Sequence, residues 1–123
     1  MDEKIGMLRH TVATVAYRGA TAMRGAPAEF AEYRSAPDWE DGMARFFAAL
    51  EAFDRRLSSG VALEFPAEKI FQGPVADALT HVGQLAMLRR MAGAKIRGEN
   101  YFTAQIETGR VGATQAEPRR QFD

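Results

Sequence analysis

Between Trp39 and Leu57, six large apolar residues (Trp39, Met43, Phe46, Leu50, Phe53, Leu57) recur at intervals of four, three, four, three and four. An α-helix turns once in about 3.6 residues, so this alternation lays all six along one narrow line. A strand would scatter them over both of its faces. The stripe therefore predicts a helix over 38–59 that must be covered by other helices, which places the chain in the all-α class as a helical bundle. Asp38 is the expected N-cap, with Asp41 three residues on as a weak capping box. Phe47 widens the stripe, Asp41, Arg45, Glu51 and Arg55 take the outer surface, and Ser58, Ser59 and Gly60 end the helix.

Two further helices are expected to pack on it. Over 2–23, Ile5, Leu8, Val12, Val15 and Gly19 repeat at three and four, with Asp2 as cap and Glu3 in the positive first turn. Gly6 and Gly19 weaken that helix but permit close approach. Its back face carries His10, Thr14 and Tyr17, a set that is expected to meet another helix, a second subunit or a site. Over 71–93, Gly73 and Pro74 are expected to open a helix and Gly93 to close it, with Arg89 and Arg90 facing the negative end of its own dipole. Val75, Ala78, Leu79, Val82, Leu85 and Ala86 form its apolar stripe, and Asp77, His81 and Gln84 run along one edge.

The remaining segments are shorter. Two prolines and a glycine frame Ala28 to Arg34, read as two helical turns anchored by Phe30 and Tyr33. Residues 61–72 read as an extended connection with a turn at Ala67 to Phe71. Glu99 is expected to cap a short helix running to Thr108, ended by Gly109 and packed through Tyr101, Phe102 and Ile106. Residues 112–123 read as an irregular tail of a single domain spanning 1–123.

Composition narrows the function. Sixteen basic and sixteen acidic residues cancel to a net charge of +0, which argues against a grip on nucleic acid or an anionic membrane. The absence of cysteine excludes disulfides, thiolate nucleophiles and cysteine-ligated zinc. No apolar run approaches the roughly 20 residues of a membrane span. The N-terminus does not read as a signal peptide, so a cytoplasmic location is the expectation. No phosphate-loop or dinucleotide pattern surrounds Gly73, and no Ser–His–Asp set is evident.

The chemistry-bearing candidates are the two histidines. His81, oriented by Asp77 one turn earlier and assisted by Gln84, reads as a metal ligand or general base. The same three residues equally make a hydrogen-bonded helix edge. His10 could add a second ligand, with Thr14 and Tyr17 lining the same cavity. Two histidines and a carboxylate form a set that suits zinc, nickel, iron or manganese.

Three stretches carry a resemblance: LRHTVATVAYRGATAM (8–23), WEDGMARFFAALEAFDRRLSS (39–59) and FQGPVADALTHVGQLAMLRRMAGAKIRGENYFTAQIETGRVG (71–112). Together they resemble the DinB-like proteins. The resemblance implies an up-down-down-up helical bundle, usually dimeric, with a divalent metal held by three histidines. It also implies relatives among thiol-dependent transferases and metal-dependent hydrolases or isomerases. His81 is the ligand it carries over. The chain departs from the pattern in having only His10 and His81, and in lacking the second long helix, since a four-residue junction separates Arg34 from Trp39. A bound ion is thus expected only if an incomplete histidine set suffices. The missing helix would leave an apolar groove, and a homodimer is the simplest cover for it. Two functions follow: a metal-binding protein acting on a small thiol or another small molecule, or a non-catalytic bundle that works by homo-oligomerisation.

Overall fold

A computed structural model describes residues 2–25 and 39–122. The expected turns over Ala28 to Arg34, their anchors Phe30 and Tyr33, and the Asp38 cap lie outside the described residues. What is described is mostly helical: α1 (Glu3–Met23), α2 (Trp39–Ser58), α3 (Ala67–Ile70), a π-helical turn (Phe71–Val75), α4 (Ala76–Met91), and a ribbon of β1 (Gly98–Glu99) with β2 (Gln121–Phe122). None of these helices is long and apolar enough to cross a membrane.

α1 is the axis of the molecule. Asp2 caps it as expected, its carboxylate accepting from the Lys4 amide at 2.7 Å. Its buried residues run all round: Leu8, Val12 and Val15 on one side, Ala13, Ala16, Tyr17 and Ala20 on others. α2 runs antiparallel to it, because Asp54 near the end of α2 pairs with Arg9, and Phe46 near its start meets Gly19. A Cβ at Gly19 would stand 2.8 Å from Phe46 Cε2, so glycine sets how closely the two helices approach. α4 runs parallel to α1. Lys4 pairs with Glu68 at 3.1 Å at one end, and Arg89 reaches the Ala22 and Arg24 carbonyls at the other. The described long helices are thus up, down and up.

The seam on α2 works as expected in kind. Leu57 and Phe47 are buried, and Trp39, Met43, Phe46, Leu50 and Phe53 pack against the same core in half-buried positions. The stripe on α4 also holds, with Val75 and Val82 buried and Ala78, Leu79 and Leu85 packed on the core.

Three expectations need correcting. The third helix does not open at Gly73–Pro74. It starts at Ala67, where the sequence suggested only a turn, and Pro74 lies inside it. Proline lacks an N–H, and its ring crowds the carbonyl four residues back. The helix absorbs this by widening for one turn, in which the Ala76 amide bonds Phe71 O, five residues back. The chain therefore continues in helical geometry through Ile70, Phe71, Val75 and Ala76.

Nor does Glu99 cap a helix. The Asn100 side chain accepts from the Phe102 amide at 3.1 Å, and this local turn takes over the N–H that a helix would need. Successive turns follow, and Phe102, expected inside, is 97% exposed. Tyr101 and Ile106 are half-buried, as expected of packing residues.

The tail after residue 112 is more ordered than an irregular one. Gln115 is buried, its amide donating to the Gly112 carbonyl at 2.7 Å and the Arg110 carbonyl at 3.3 Å. The chain then returns to pair Gly98 with Phe122 and Glu99 with Gln121, antiparallel. Gly98 is required there, since a Cβ on it would overlap the Phe122 ring.

Candidate functional site

Asp77 occupies the first turn of α4, and His81 follows one turn later. Side chains four apart on a helix are neighbours, so the pair forms by local geometry alone. His81 Nε2 lies 3.3 Å from Asp77 Oδ2, and Nδ1 lies 2.8 Å from Gln84 Oε1. Both ring nitrogens thus face oxygen acceptors. A protonated ring satisfies both with its two N–H groups, whereas a neutral ring has only one to offer. The Gln84 amide can turn over and present its N–H₂ instead. A cation seated between Nε2 and the Asp77 carboxylate is the other way to fill that gap.

The edge is open. The His81 and Asp77 side chains are 63% and 70% exposed, so water screens the pair and it contributes little to folding. What it offers is a two-donor edge with free access. Among the described residues, no three His, Asp or Glu side chains come close enough to share an ion. Within one chain, the described residues therefore do not fit the closed ligand set that the resemblance implies.

His10, Thr14 and Tyr17 find other partners. His10 Nδ1 lies 3.0 Å from Thr108 Oγ1. The Thr14 hydroxyl bonds back to His10 O at 3.0 Å within its own helix. The Tyr17 hydroxyl donates to Glu99 Oε2 at 2.6 Å. The back face of α1 therefore meets the C-terminal segment of its own chain.

Two further charged groups matter, and sequence reasoning gave both a lesser role. Glu99 is 6% exposed, and only one of its oxygens has a partner; Oε1 is buried without a donor. Burial, and then the hydrogen bond to Glu99, push the Tyr17 phenol well above its ordinary value of 10.0. The Tyr101 ring meets Tyr17 edge-on at 6.2 Å and lies under the Arg18 guanidinium at 4.3 Å.

Arg89 is 6% exposed. Its guanidinium donates to the carbonyls of Ala94, Ala22, Arg24 and Gly25 at 3.1, 3.2, 2.8 and 3.4 Å. It serves the negative end of α1 rather than only its own helix. Burial lowers its pKa from the free guanidinium value. The signal was present in the sequence, since Arg89 stands four residues after Leu85 and seven after Val82, on the buried stripe itself. For Glu99 no comparable periodicity exists.

One side of α4 and of the π turn is exposed. Gly73, Asp77, Thr80, Gln84, Met87 and Met91 are all exposed and stand four, three, four, three and four apart. This is the seam spacing of α2 repeated on the outside of the molecule. Met87 is 61% exposed and Met91 75%, and Leu88 beside them is 48% exposed. The His81 edge flanks the polar half of the same line.

Comparison of the chain with models of protein families, with curated proteins and with solved structures finds no match.

Proposed function

We infer that this chain is a DinB-like bundle shortened by one helix, and that it acts through self-association of two copies. The observation that carries this reading is the exposed line from Gly73 to Met91, with seam spacing and an apolar end in Met87, Leu88 and Met91. Exposed apolar side chains clustered on one helix face mark an interaction surface. A surface that repeats at intervals of four and three fits another helix carrying the same repeat, and a two-fold axis supplies one. The up, down, up order of the described helices supports the family reading. It is the order left when the second member is removed from an up-down-down-up bundle.

The sequence leaves a second reading, in which a divalent ion is held by the Asp77–His81 edge. Its support is the pair of oxygen acceptors around the His81 ring, one of them a carboxylate oxygen 3.3 Å from Nε2. Because the described residues bring only two donors together, further ligands would come from a second copy across the same line. A small thiol is the substrate class that the resemblance would then suggest.

Sedimentation equilibrium on tag-free protein tests the first reading, with Leu88→Glu and Met91→Glu as variants. A dimer that dissociates in both is the expected result. A monomer at every concentration, or a dimer indifferent to both changes, refutes it. Elemental analysis after reconstitution with zinc, nickel, manganese and iron tests the second. About one ion per dimer, lost in His81→Ala, supports it, and no retained metal removes it.

A further inference from the structure

Where the last turns of α4 meet the β1–β2 ribbon, a groove of about 470 Å³ opens. That volume falls within the range of small-molecule sites. Met87, Ile96 and Phe122 give it apolar walls, and Arg90 and Lys95 stand beside them. Both are exposed, and neither side chain has a hydrogen bond or ion pair with a described residue. Glu99 also lines the groove, and it is the buried carboxylate whose Oε1 lacks a donor. Buried polar atoms in folded proteins nearly always have a partner, so this oxygen marks a place where an N–H or O–H belongs.

The three features specify one kind of molecule. Unpaired cations select an anion, apolar walls select an apolar body, and the orphaned carboxylate oxygen selects a donor group close to the anion. We propose that this groove binds a small carboxylate bearing an adjacent amino or hydroxyl group and an aromatic or branched side chain, that is, an α-amino or α-hydroxy acid. The ligand carboxylate meets Arg90 and Lys95, its donor completes Glu99, and its side chain lies against Met87, Ile96 and Phe122. Phe122 is the adaptable wall. It is held over Gly98 by a ribbon only two residue pairs long, and is itself 57% exposed.

Three probes share a carboxylate and a benzyl group, and carry an ammonium, a hydroxyl or only a hydrogen on the carbon beside the carboxylate. They are L-phenylalanine, L-phenyllactate and 3-phenylpropionate, and they test the site when titrated by calorimetry and by NMR shifts of the Ile96 methyl groups. The last two, both anions, isolate the donor. The first two are expected to bind, and 3-phenylpropionate about tenfold more weakly, the factor expected for one charge-assisted hydrogen bond. Arg90→Gln combined with Lys95→Gln removes both surface charges without touching the core, and is expected to weaken phenylalanine at least about tenfold. No binding of any probe at millimolar concentration overturns the site. So does binding unaffected by the double substitution. Equal affinity for all three probes overturns the role of Glu99. Repeating the titration in Met91→Glu separates this groove from self-association, because binding is expected to survive there.

Discussion

Replacing Tyr17 by phenylalanine keeps the ring, its edge contact with Tyr101 and its place in the core, and removes one hydroxyl. Among the described residues that hydroxyl is the only donor to the Glu99 carboxylate; Glu99 is 6% exposed and Tyr17 2%. A hydrogen bond to a charged group contributes about 1.5–3 kcal/mol, and a buried carboxylate left with no donor adds a penalty of similar order. Tyr17→Phe is therefore expected to cost about 3–6 kcal/mol. Glu99→Gln, which still offers an amide oxygen to Tyr17, is expected to cost about 1 kcal/mol. Combining Tyr17→Phe with Glu99→Leu removes both polar groups, and the cost should fall short of the sum of the single changes by about 1.5–3 kcal/mol. Urea unfolding followed by the fluorescence of Trp39 measures all of these, provided the slope with denaturant is unchanged. A coupling below about 0.5 kcal/mol, within the error of additivity, would show that the pair does not tie the C-terminal segment to α1.

The same pair predicts a pH dependence. The folded phenol holds its proton to a higher pH than the ordinary 10.0, so its contribution is complete below that value and declines as pH rises past it. The stability gap between wild type and Tyr17→Phe should shrink by about 1.4 kcal/mol per pH unit above 10.0, and a gap that stays constant refutes the linkage. At Gly19 an added methyl meets Phe46, so Gly19→Ala should lose about 1 kcal/mol net of the helix propensity it gains. At Gly83, where a Cβ meets nothing within 4 Å, the same change should gain up to about 1 kcal/mol. Opposite signs in urea midpoints are the check. Arg89→Lys replaces a planar fork by a single ammonium and should lose at least about 2 kcal/mol, whereas a midpoint close to wild type would mean that the carbonyl cluster needs no guanidinium.

What could be read in the sequence was what repeats. The α2 seam, the α4 stripe, the Asp2 cap and the close approach at Gly19 all follow from spacing or from local chemistry. Gly93 does too: it takes a positive φ of 83° and lets the Ala94 amide reach Arg89 O. The Asp77–His81–Gln84 edge was legible for the same reason, since its contacts lie within one helix. The errors fell where one local preference competed with another. Pro74 reads as a helix start unless the turn before it can widen. Asn100 ended a helix before it began. Glu99 was illegible because its partner, Tyr17, lies 82 residues away and its burial depends on a ribbon of two pairs.

The outer line on α4 gains significance from how firmly the inner side is held. Arg89 fixes the end of this helix to the last carbonyls of α1, while Val82 in its middle and Val75 just before it are buried in the core. At the start, the π turn keeps the backbone helical through Pro74 and carries it back to the Lys4–Glu68 pair. A helix fixed at both ends cannot easily roll Met87 or Met91 inward, so their exposure belongs to the fold and is not one rotamer among many. The proposed association would then order few groups that are not already ordered, which would lower the entropy cost of forming an interface. The polar half of the line has the complementary property. Asp77, Thr80 and Gln84 are exposed, and in the proposed dimer they would form an aligned polar row that sets register while the methionines supply the burial. A substitution at Gln84 that leaves the apolar end intact, such as Gln84→Leu, should therefore raise affinity between copies while loosening their register. A single sharp set of interface NMR signals in that variant would show that the polar row does not specify the pairing.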